Sequence, residues 1–199
     1  MKLYYAPGAC SLADHIALIE AGLPYSLVKV DLKSKKTEDG ADFSTINPKC
    51  YVPALALDGN DGVLTENIAI LSYIAEKSGK LMPASGLAHF RVIEATAFVS
   101  TELHKNFKPF FNPMASAADK DAARAMLDRR FATIDAMLDG HAFLVGDSPT
   151  IADCYLFVML TWARKNGLKL PPRVQAFFDR FRERPSVGRA LAEEGLNPA

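Results

Sequence analysis

The pattern of the sequence changes once, near residue 80, and this change constrains the fold more than any other feature of the chain. The first eighty residues alternate short β-like runs with helical patterns, whereas the later residues follow helical patterns alone. One change of this kind indicates two domains of different class. We therefore expect an α/β domain over residues 1–80 and an all-helical domain over residues 87–199, with a linker at about residues 81–86.

The first domain opens with the order strand, helix, strand. A short β-like run at residues 3–5 is closed by Pro7-Gly8, a helical repeat follows as far as Gly22, and a second β-like run occupies residues 26–30. Strands joined through a helix normally pair in parallel with a right-handed crossover. The polar residues 33–42 that follow should form a loop with at most a short helix.

The remainder of the first domain predicts a hairpin and a helix. Two β-like runs, at residues 52–57 and 63–64, flank the turn-forming segment Asp58-Gly59-Asn60-Asp61-Gly62, so these strands should be antiparallel. Helical periodicity returns from Glu66 and stops at Ser78-Gly79. The order β-α-β followed by β-β-α is that of a thioredoxin-like domain, although other small α/β folds share it.

Two amphipathic helices and one apolar helix are predicted in the second domain. The amphipathic helices carry apolar residues at Leu127, Phe131, Ile134 and Leu138 and at Val174, Phe177, Phe178 and Phe181. Residues 151–162 are apolar on nearly every face, so this helix should lie at the centre of a helical bundle. Thr150 and Asp153 fit a capping box at its start, and we expect Asp153 to have a structural role rather than a catalytic one.

Composition and charge argue against several classes of function. Lys plus Arg and Asp plus Glu both number 23, so no net charge favours nucleic acid or an anionic membrane. No signal-length apolar run precedes Pro7-Gly8 and no later stretch is long enough to span a bilayer, so we expect a cytoplasmic protein. The three cysteines, Cys10, Cys50 and Cys154, support neither a disulfide framework nor a zinc site.

Cys10 is the first candidate for chemistry. It lies between the first strand and the first helix, where backbone amides and the positive end of the helix dipole favour a thiolate. Many cysteines are simply small buried hydrophobic residues, but this position favours function. Cys10-Ser11-Leu12-Ala13 lacks a second thiol, so dithiol redox chemistry is disfavoured and monothiol chemistry stays open.

Two further segments have properties of a ligand site, each weakly when taken alone. Pro53 precedes a strand, and a cis Val52-Pro53 bond would present the Val52 amide and carbonyl to the backbone of a ligand. Glu66-Asn67 begins a helix, so the free amides suit a carboxylate and the Glu66 side chain suits a neighbouring amine. A capped helix start without any ligand is the plainer interpretation of the second segment.

Taken together, residues 1–13, 47–55 and 65–70 resemble the cytosolic glutathione transferases, most closely their bacterial beta class. The similarity extends through residues 101–105 and the capping box to the closing residues 192–196, and so covers essentially the whole chain. It implies the glutathione-transferase fold, with an α/β thioredoxin-like N-terminal domain and an all-α C-terminal helical bundle. It also implies a detoxifying homodimer that uses glutathione as co-substrate and needs neither cofactor nor metal.

The resemblance implies where the sulfur and the central peptide of glutathione bind. The sulfur would lie near Cys10, the peptide would pair with Val52, and the Ala9 backbone would contribute a contact. Pro53 would be the family's cis proline. Because the beta class has cysteine where other classes use tyrosine or serine, Cys10 would either donate a hydrogen bond or form a mixed disulfide with glutathione. The sequence leaves both roles open.

The resemblance also assigns the two ends of glutathione and a histidine. The γ-glutamyl carboxylate and amine would meet the helix start at Asn67 and the Glu66 carboxylate, and Lys35 would approach the glycine end. His104 would lie beside the thiol and help to hold it as thiolate, since histidine changes charge near neutral pH. Cys10 and His104 are thus the predicted catalytic residues. The remaining histidines, His15, His89 and His141, should be structural.

The implied reaction is attack of the glutathione thiolate on a small, hydrophobic electrophile, which forms a thioether. A free thiol has a pKa of about 8.5, so the site must stabilise the anion at neutral pH. Three alternatives stay open: a glutathione-dependent thiol-disulfide reductase that acts through Cys10, a noncatalytic glutathione- or ligand-binding protein, and an interaction module in the helical domain. The aromatic residues of segment 107–111 fit either an apolar substrate wall or a core.

Three residues depart from the family pattern. Cys50 stands where relatives commonly have glycine, Asn67 replaces the usual serine or glycine, and Ala97 replaces an asparagine found in some relatives. The loop at Cys50 must therefore tolerate a side chain. We expect these changes to lower the affinity for glutathione without changing the fold.

Overall fold

A mixed β-sheet organises the N-terminal part of the chain. The structure is a computed structural model that describes residues 1–59 and 62–196. The strands of this described part are β1 (Lys2–Tyr5), β2 (Ser26–Asp31), β3 (Lys36–Thr37), β4 (Ala54–Ala56) and β5 (Val63–Thr65). They pair in the order β3-β2-β1-β4-β5, with β1 and β2 parallel and the other neighbours antiparallel.

This topology confirms the predicted parallel pair and the predicted hairpin. The first hairpin strand is shorter than the predicted run 52–57, the second extends one residue beyond the predicted run 63–64, and Leu55 lies opposite Leu64. Asn60 and Asp61 of the predicted turn lie outside the described residues. The sheet therefore has the mixed pairing expected of a thioredoxin-like domain.

Two helices, α1 (Leu12–Ala21) and α2 (Asn67–Ser78), cover the sheet and position the ends that matter for function. Residues 12–18 of α1 are all buried, which explains why this helix lacks a polar face. Gly22 ends it with a φ of 71°, a left-handed conformation that lets its N–H bond to the carbonyls of the last turn. Residues 6–11 form the loop that connects the C-terminal end of β1 to the start of α1.

Residues 33–42 include a short strand that the prediction of a loop with at most a short helix does not contain. The Asp31 side chain accepts hydrogen bonds from the Lys33 and Ser34 amides, at 2.7 and 3.3 Å, and turns the chain back on itself. The returning residues form β3, with Thr37 opposite Val30. The polar side chains therefore make a turn and an edge strand, and a short 3₁₀ helix follows only at Phe43–Thr45.

The rest of the described chain is helical. Its elements are α3 (Gly86–Phe98), a π-helical turn (Val99–Leu103), a 3₁₀ helix (His104–Phe107), α4 (Lys108–Phe111), α5 (Ala117–Met137), α6 (Ile151–Lys165), α7 (Pro172–Arg182) and α8 (Pro185–Glu193). The predicted apolar residues of α5 and α7 are buried, as are nearly all residues of α6. The amphipathic and central helices are thus confirmed. No helix among residues 1–59 and 62–196 is long and apolar enough to cross a membrane.

A capping box starts α6, as the sequence predicts. Asp153 accepts hydrogen bonds from the Thr150 amide at 2.8 Å and from the Thr150 hydroxyl at 2.7 Å, and its other oxygen accepts from the Leu144 amide at 2.9 Å. Burial raises the pKa of Asp153 to about 6, although these donors oppose the rise. The three bonds give Asp153 a structural role in holding the preceding loop on the helix.

The described chain divides into two compact units. Of the described residues, 1–59, 62–84 and 184–196 form one unit, and 85–183 form the other. Within the first unit, α8 packs on α1, and Glu20 accepts hydrogen bonds from Arg184 Nε and Ser186 Oγ, both at 2.6 Å. The sequence pattern groups residues 184–199 with the helical domain instead. The predicted domain bounds of 1–80 and 87–199 remain a prediction.

Candidate functional site

Cys10 lies on the loop that leads from β1 into α1. The Ser11 hydroxyl closes this loop by accepting from the Ala6 amide at 3.3 Å and approaching the Ala6 carbonyl at 3.4 Å. The Ala9 amide donates to the Ala6 carbonyl at 3.0 Å, and the Ala9 carbonyl accepts from the first turn of α1. Cys10 is buried, and its Sγ donates to the Val52 carbonyl at 3.3 Å. The loop therefore aims the thiol at the segment that precedes β4.

The Cys10 thiol is protonated at neutral pH, contrary to the expectation that the helix start favours a thiolate. Burial raises the pKa of Cys10 to about 12, and Asp14 adds to the rise. Hydrogen bonds from the backbone of Cys10 and Ser11 lower it, but they do not offset the loss of water. Of the two roles that the resemblance left open, this proton state favours the hydrogen-bond donor.

The segment around Val52 has the geometry that an added strand needs. The Val52-Pro53 peptide bond is cis. No acceptor among the described residues takes a hydrogen bond from the Val52 amide. Lys35 Nζ donates to the Cys50 carbonyl at 3.0 Å, so Lys35 lies beside this segment. Cys50 has a φ of 57°, the left-handed region that favours glycine, which shows that a side chain is accommodated there.

Glu66 is a charged, exposed carboxylate at the start of α2. It accepts hydrogen bonds from Lys49 Nζ at 2.5 Å and from the Tyr51 hydroxyl at 2.6 Å. The hydrogen bond from Lys49, followed by that from Tyr51, lowers the pKa of Glu66. The carboxylate is therefore ionised at neutral pH, as the binding of an amine requires.

The Asn67 side chain points into the protein rather than towards a ligand. Its Nδ2 donates to the Cys10 carbonyl at 3.0 Å and to Asp14 Oδ2 at 3.3 Å, and the residue is buried. Only the backbone of Asn67 is left to meet a carboxylate, since the first amides of a helix lack partners within it. The structure thus brings Cys10, Val52 and Asn67 together within hydrogen-bond distance in the first unit.

His104 belongs to the second unit, where it follows the π-helical turn. Its Nδ1 lies 2.5 Å from the Tyr155 hydroxyl, and the edge of its ring meets Trp162 with 5.0 Å between ring centres. Burial, and to a smaller extent the charge of Lys105, lowers the pKa of His104 to about 4. The expected change of charge near neutral pH is therefore wrong for this residue, because the buried ring stays neutral.

The neutral ring of His104 has a definite donor. A neutral imidazole has one donor and one acceptor nitrogen, and a phenol is the stronger hydrogen-bond donor of the pair. We assign the Tyr155 hydroxyl as the donor to Nδ1, and this assignment places the proton of His104 on Nε2. His104 can then stabilise an anion as a neutral N–H donor rather than as a cation.

Several contacting residues did not emerge from the sequence. Lys49 and Tyr51 bond to Glu66, Tyr155 orients His104, and Asp14 bonds to Asn67. Two of them carry a recognisable signal, because Asp14 and Tyr155 place a polar group inside an otherwise apolar helix. Lys49 and Tyr51 lie on a loop, where the sequence gives no comparable signal.

Family models match both halves of the chain. Residues 9–77 match the glutathione S-transferase N-terminal domain, and residues 98–185 match the glutathione S-transferase C-terminal domain. Glutathione S-transferase GstA of Escherichia coli O157:H7 is 43% identical over 202 residues, which cover 98% of this chain and all of that protein. The chain therefore belongs to the glutathione S-transferase family, and the predicted fold class is confirmed.

Solved structures narrow this assignment within the family. A bacterial beta-class glutathione S-transferase of Sphingomonas chungbukensis has a TM-score of 0.93 and 44% identity over 98% of this chain and all of that one. A sphingomonad glutathione S-transferase complexed with glutathione has a TM-score of 0.93 and 45% identity over the same shares. The chain is a transferase closely related to the bacterial beta class, as the sequence predicts.

Proposed function

We propose that the chain conjugates the glutathione thiolate to small, hydrophobic electrophiles, with Cys10 as a neutral hydrogen-bond donor to the sulfur. The observation that carries this proposal is the convergence of three groups in the first unit. Cys10 Sγ lies 3.3 Å from the Val52 carbonyl, and Asn67 Nδ2 lies 3.0 Å from the Cys10 carbonyl. A thiol, an extended backbone segment and a helix start are the features that an extended thiol peptide with a free carboxylate requires.

Each end of glutathione meets a group suited to its charge. The ionised Glu66 binds the γ-glutamyl amine, and the backbone amides at the start of α2, beginning with Asn67, bind the adjacent carboxylate. Val52 and Ala9 offer backbone groups to the peptide, beside Pro53. Lys35, whose Nζ lies at the Cys50 carbonyl, pairs with the glycine carboxylate.

The chemical step requires the glutathione thiol to lose its proton first. Lowering a thiol pKa of about 8.5 by two units requires about 2.7 kcal/mol of interaction that favours the anion. The Cys10 thiol and the Nε2–H of His104 are the proposed donors to this anion, while water takes the proton. The sulfur then forms a bond to the electrophilic carbon, and a leaving group departs with its electron pair.

A thiol-disulfide reductase that acts through Cys10 is the weaker candidate. Such chemistry needs the Cys10 thiolate as nucleophile. Burial raises the pKa of the Cys10 thiol to about 12, so this thiol keeps its proton at pH 7. The buried, protonated thiol therefore favours the transferase, and turnover separates the transferase from a noncatalytic binder.

A comparison of two reactions tests the proposal. The full-length protein is assayed for conjugation of glutathione with chlorodinitrobenzene and for glutathione-dependent reduction of a hydroxyethyl mixed disulfide. We expect conjugation to be catalysed and to persist in Cys10→Ala. Reduction that dominates and disappears in Cys10→Ala would establish the reductase instead, and glutathione binding without either reaction would establish a noncatalytic binder.

We propose further that the chain is a cytoplasmic, detoxifying homodimer. Leu87 and Phe90 on α3 are 70% and 63% exposed, which provides the second unit with apolar surface for a second copy. Light scattering of the purified protein tests the assembly, with twice the chain mass expected. A mass that matches one chain at all concentrations would contradict it.

A further inference from the structure

Asp14 is a buried acid that the proposed mechanism does not use. It lies in the first turn of α1, one turn beyond Cys10, and its side chain is completely buried. Oδ2 accepts from Asn67, whereas Oδ1 is buried and has no hydrogen-bond partner among the described residues. A carboxyl group in this state is costly, so its position next to the candidate site calls for an explanation.

The hydrogen bonds around Asp14 lead directly to Cys10. The Asn67 amide group donates through one nitrogen to two acceptors, Asp14 Oδ2 at 3.3 Å and the Cys10 carbonyl at 3.0 Å. The hydrogen bonds therefore run from Asp14 in α1, through Asn67, the first residue of α2, to Cys10 on the loop before α1. They tie together the two helix starts at which the sulfur and the γ-glutamyl carboxylate are proposed to bind.

The surroundings of Asp14 favour its uncharged form. No cation among the described residues forms a salt bridge with it. The ionisable groups that face it are Cys10 on the loop before α1 and Glu194 at the end of α8, while α2 contributes the neutral Asn67. Burial, and then the charge of Glu194, raises the pKa of Asp14 well above its usual range.

We propose that Asp14 and Asn67 are positioning residues of the glutathione site, in which Asp14 orients the Asn67 amide and Asn67 fixes the Cys10 main chain. The inference rests on the proposed function, because it concerns the residue that donates to the sulfur. A neutral acid can accept from Asn67 without placing a negative charge beside the bound anion. It also makes the Asn67 departure from the family pattern part of the site rather than a loss.

Two variants of Asp14 separate this role from plain core packing. Asp14→Leu keeps the bulk but removes the acceptor, whereas Asp14→Asn keeps an acceptor and a donor and cannot ionise. Thr96→Val in the second unit is the matched control, since Thr96 is also a fully buried polar residue on a helix. Full-length proteins are compared by melting temperature, by the KM and kcat for glutathione, and by the rate of Cys10 alkylation with iodoacetamide, mapped by mass spectrometry without glutathione.

We expect Asp14→Leu to alkylate at Cys10 about tenfold faster and to raise the KM for glutathione about tenfold, because one orienting hydrogen bond is lost. Its melting temperature should change little, since the Asn67 amide keeps its hydrogen bond to the Cys10 carbonyl when Asp14 is replaced. In Asp14→Asn, the rate of Cys10 alkylation and the KM for glutathione should both stay within about twofold of their values in the original protein. Thr96→Val should change neither readout.

Three results would overturn the inference. An unchanged alkylation rate and an unchanged KM in Asp14→Leu would show that the hydrogen bonds of Asp14 and Asn67 do not position Cys10. An Asp14→Asn protein that behaves like Asp14→Leu would show that an uncharged acceptor at this position is not sufficient. If Asp14→Leu does not fold, Asn67→Ala provides the same comparison at the next link. The protein could show the expected alkylation rates in both Asp14 variants and yet catalyse no conjugation. That result would contradict the proposed function but support the positioning role.

Discussion

Among single residues, Cys10 and His104 show how burial changes the proton state that a sequence position indicates. The position of Cys10 at a helix start favours a thiolate, yet burial raises its pKa to about 12. Histidine normally titrates near neutral pH, yet burial lowers the pKa of His104 to about 4. Both residues are therefore neutral at pH 7, and the proposed function assigns the negative charge to glutathione.

Replacing Cys10 should affect conjugation only moderately. Cys10→Ala removes one neutral hydrogen bond to the sulfur, so we expect kcat/KM for conjugation to fall about tenfold. Cys10→Ser keeps a donor and should lose less. Steady-state kinetics with chlorodinitrobenzene measure both, and complete loss of conjugation in Cys10→Ser would mean that the sulfur of Cys10 itself takes part in the reaction.

Replacing His104 should shift the pH profile of conjugation. Because His104 stays neutral above about pH 5, the rise of kcat/KM with pH reports ionisation of bound glutathione. Loss of the Nε2–H donor in His104→Ala weakens the thiolate and should move the profile about one pH unit upward. His104→Gln retains an N–H donor and serves as the control. A profile that does not move in His104→Ala would remove this residue from the mechanism.

Among the elements, hydrophobic periodicity and turn-forming residues predicted those that depend mainly on local sequence. The helix that Gly22 ends, the hairpin of β4 and β5 and the capping box of α6 each depend on neighbours close in sequence. The edge strand β3 and the π-helical turn before His104 were missed, because one depends on pairing with β2 and the other on packing of a whole bundle. The inward orientation of Asn67 was missed for the same reason, since its partners lie 53 and 57 residues away.

Ser116 and Asp119 form a second capping box at the start of α5, and it should contribute less to stability than the capping box of α6. Thr150→Ala disturbs a buried box and should lower the free energy of unfolding by about 2 kcal/mol, whereas Ser116→Ala disturbs an exposed one and should cost about 0.5 to 1 kcal/mol. Urea denaturation measures both. Activity per folded molecule should be unchanged in each variant, and a Thr150→Ala protein that is fully stable but inactive would assign Asp153 to the chemistry.

At the scale of the whole molecule, Glu193 and Glu194 at the end of α8 form hydrogen bonds with α1 and with the loop that carries Cys10. His15 is fully buried, and its Nδ1 lies 3.1 Å from Glu194 Oε1 while its Nε2 lies 2.9 Å from Glu193 Oε2. Glu194 Oε2 also accepts a hydrogen bond from the Gly8 amide at 2.8 Å. The sequence predicts His15 to be structural, and these contacts agree. They join residues 178 and 179 positions apart, a pairing that no local pattern could indicate.

Replacing either glutamate should destabilise the fold, and the loss should be larger for the more deeply buried side chain. Glu194→Gln replaces a fully buried carboxyl group that accepts from the Gly8 amide and bonds to His15, and should lower the free energy of unfolding by about 2 kcal/mol. Glu193→Gln alters a partly exposed partner and should cost about 1 kcal/mol or less, since solvent screens it. Chemical denaturation compares the two. Equal losses, or a larger loss in Glu193→Gln, would contradict the assignment of Glu194 as the main anchor.

The central claim is that bound glutathione, and not Cys10, carries the negative charge at the site. Ultraviolet difference spectroscopy of thiolate absorbance, followed across a pH titration in the original protein and in Cys10→Ala, measures this directly. We predict that a thiolate signal near neutral pH appears only when glutathione is added and persists in Cys10→Ala, at a somewhat higher pH. A signal without glutathione that vanishes in Cys10→Ala would show that Cys10 is the anion and contradict the account.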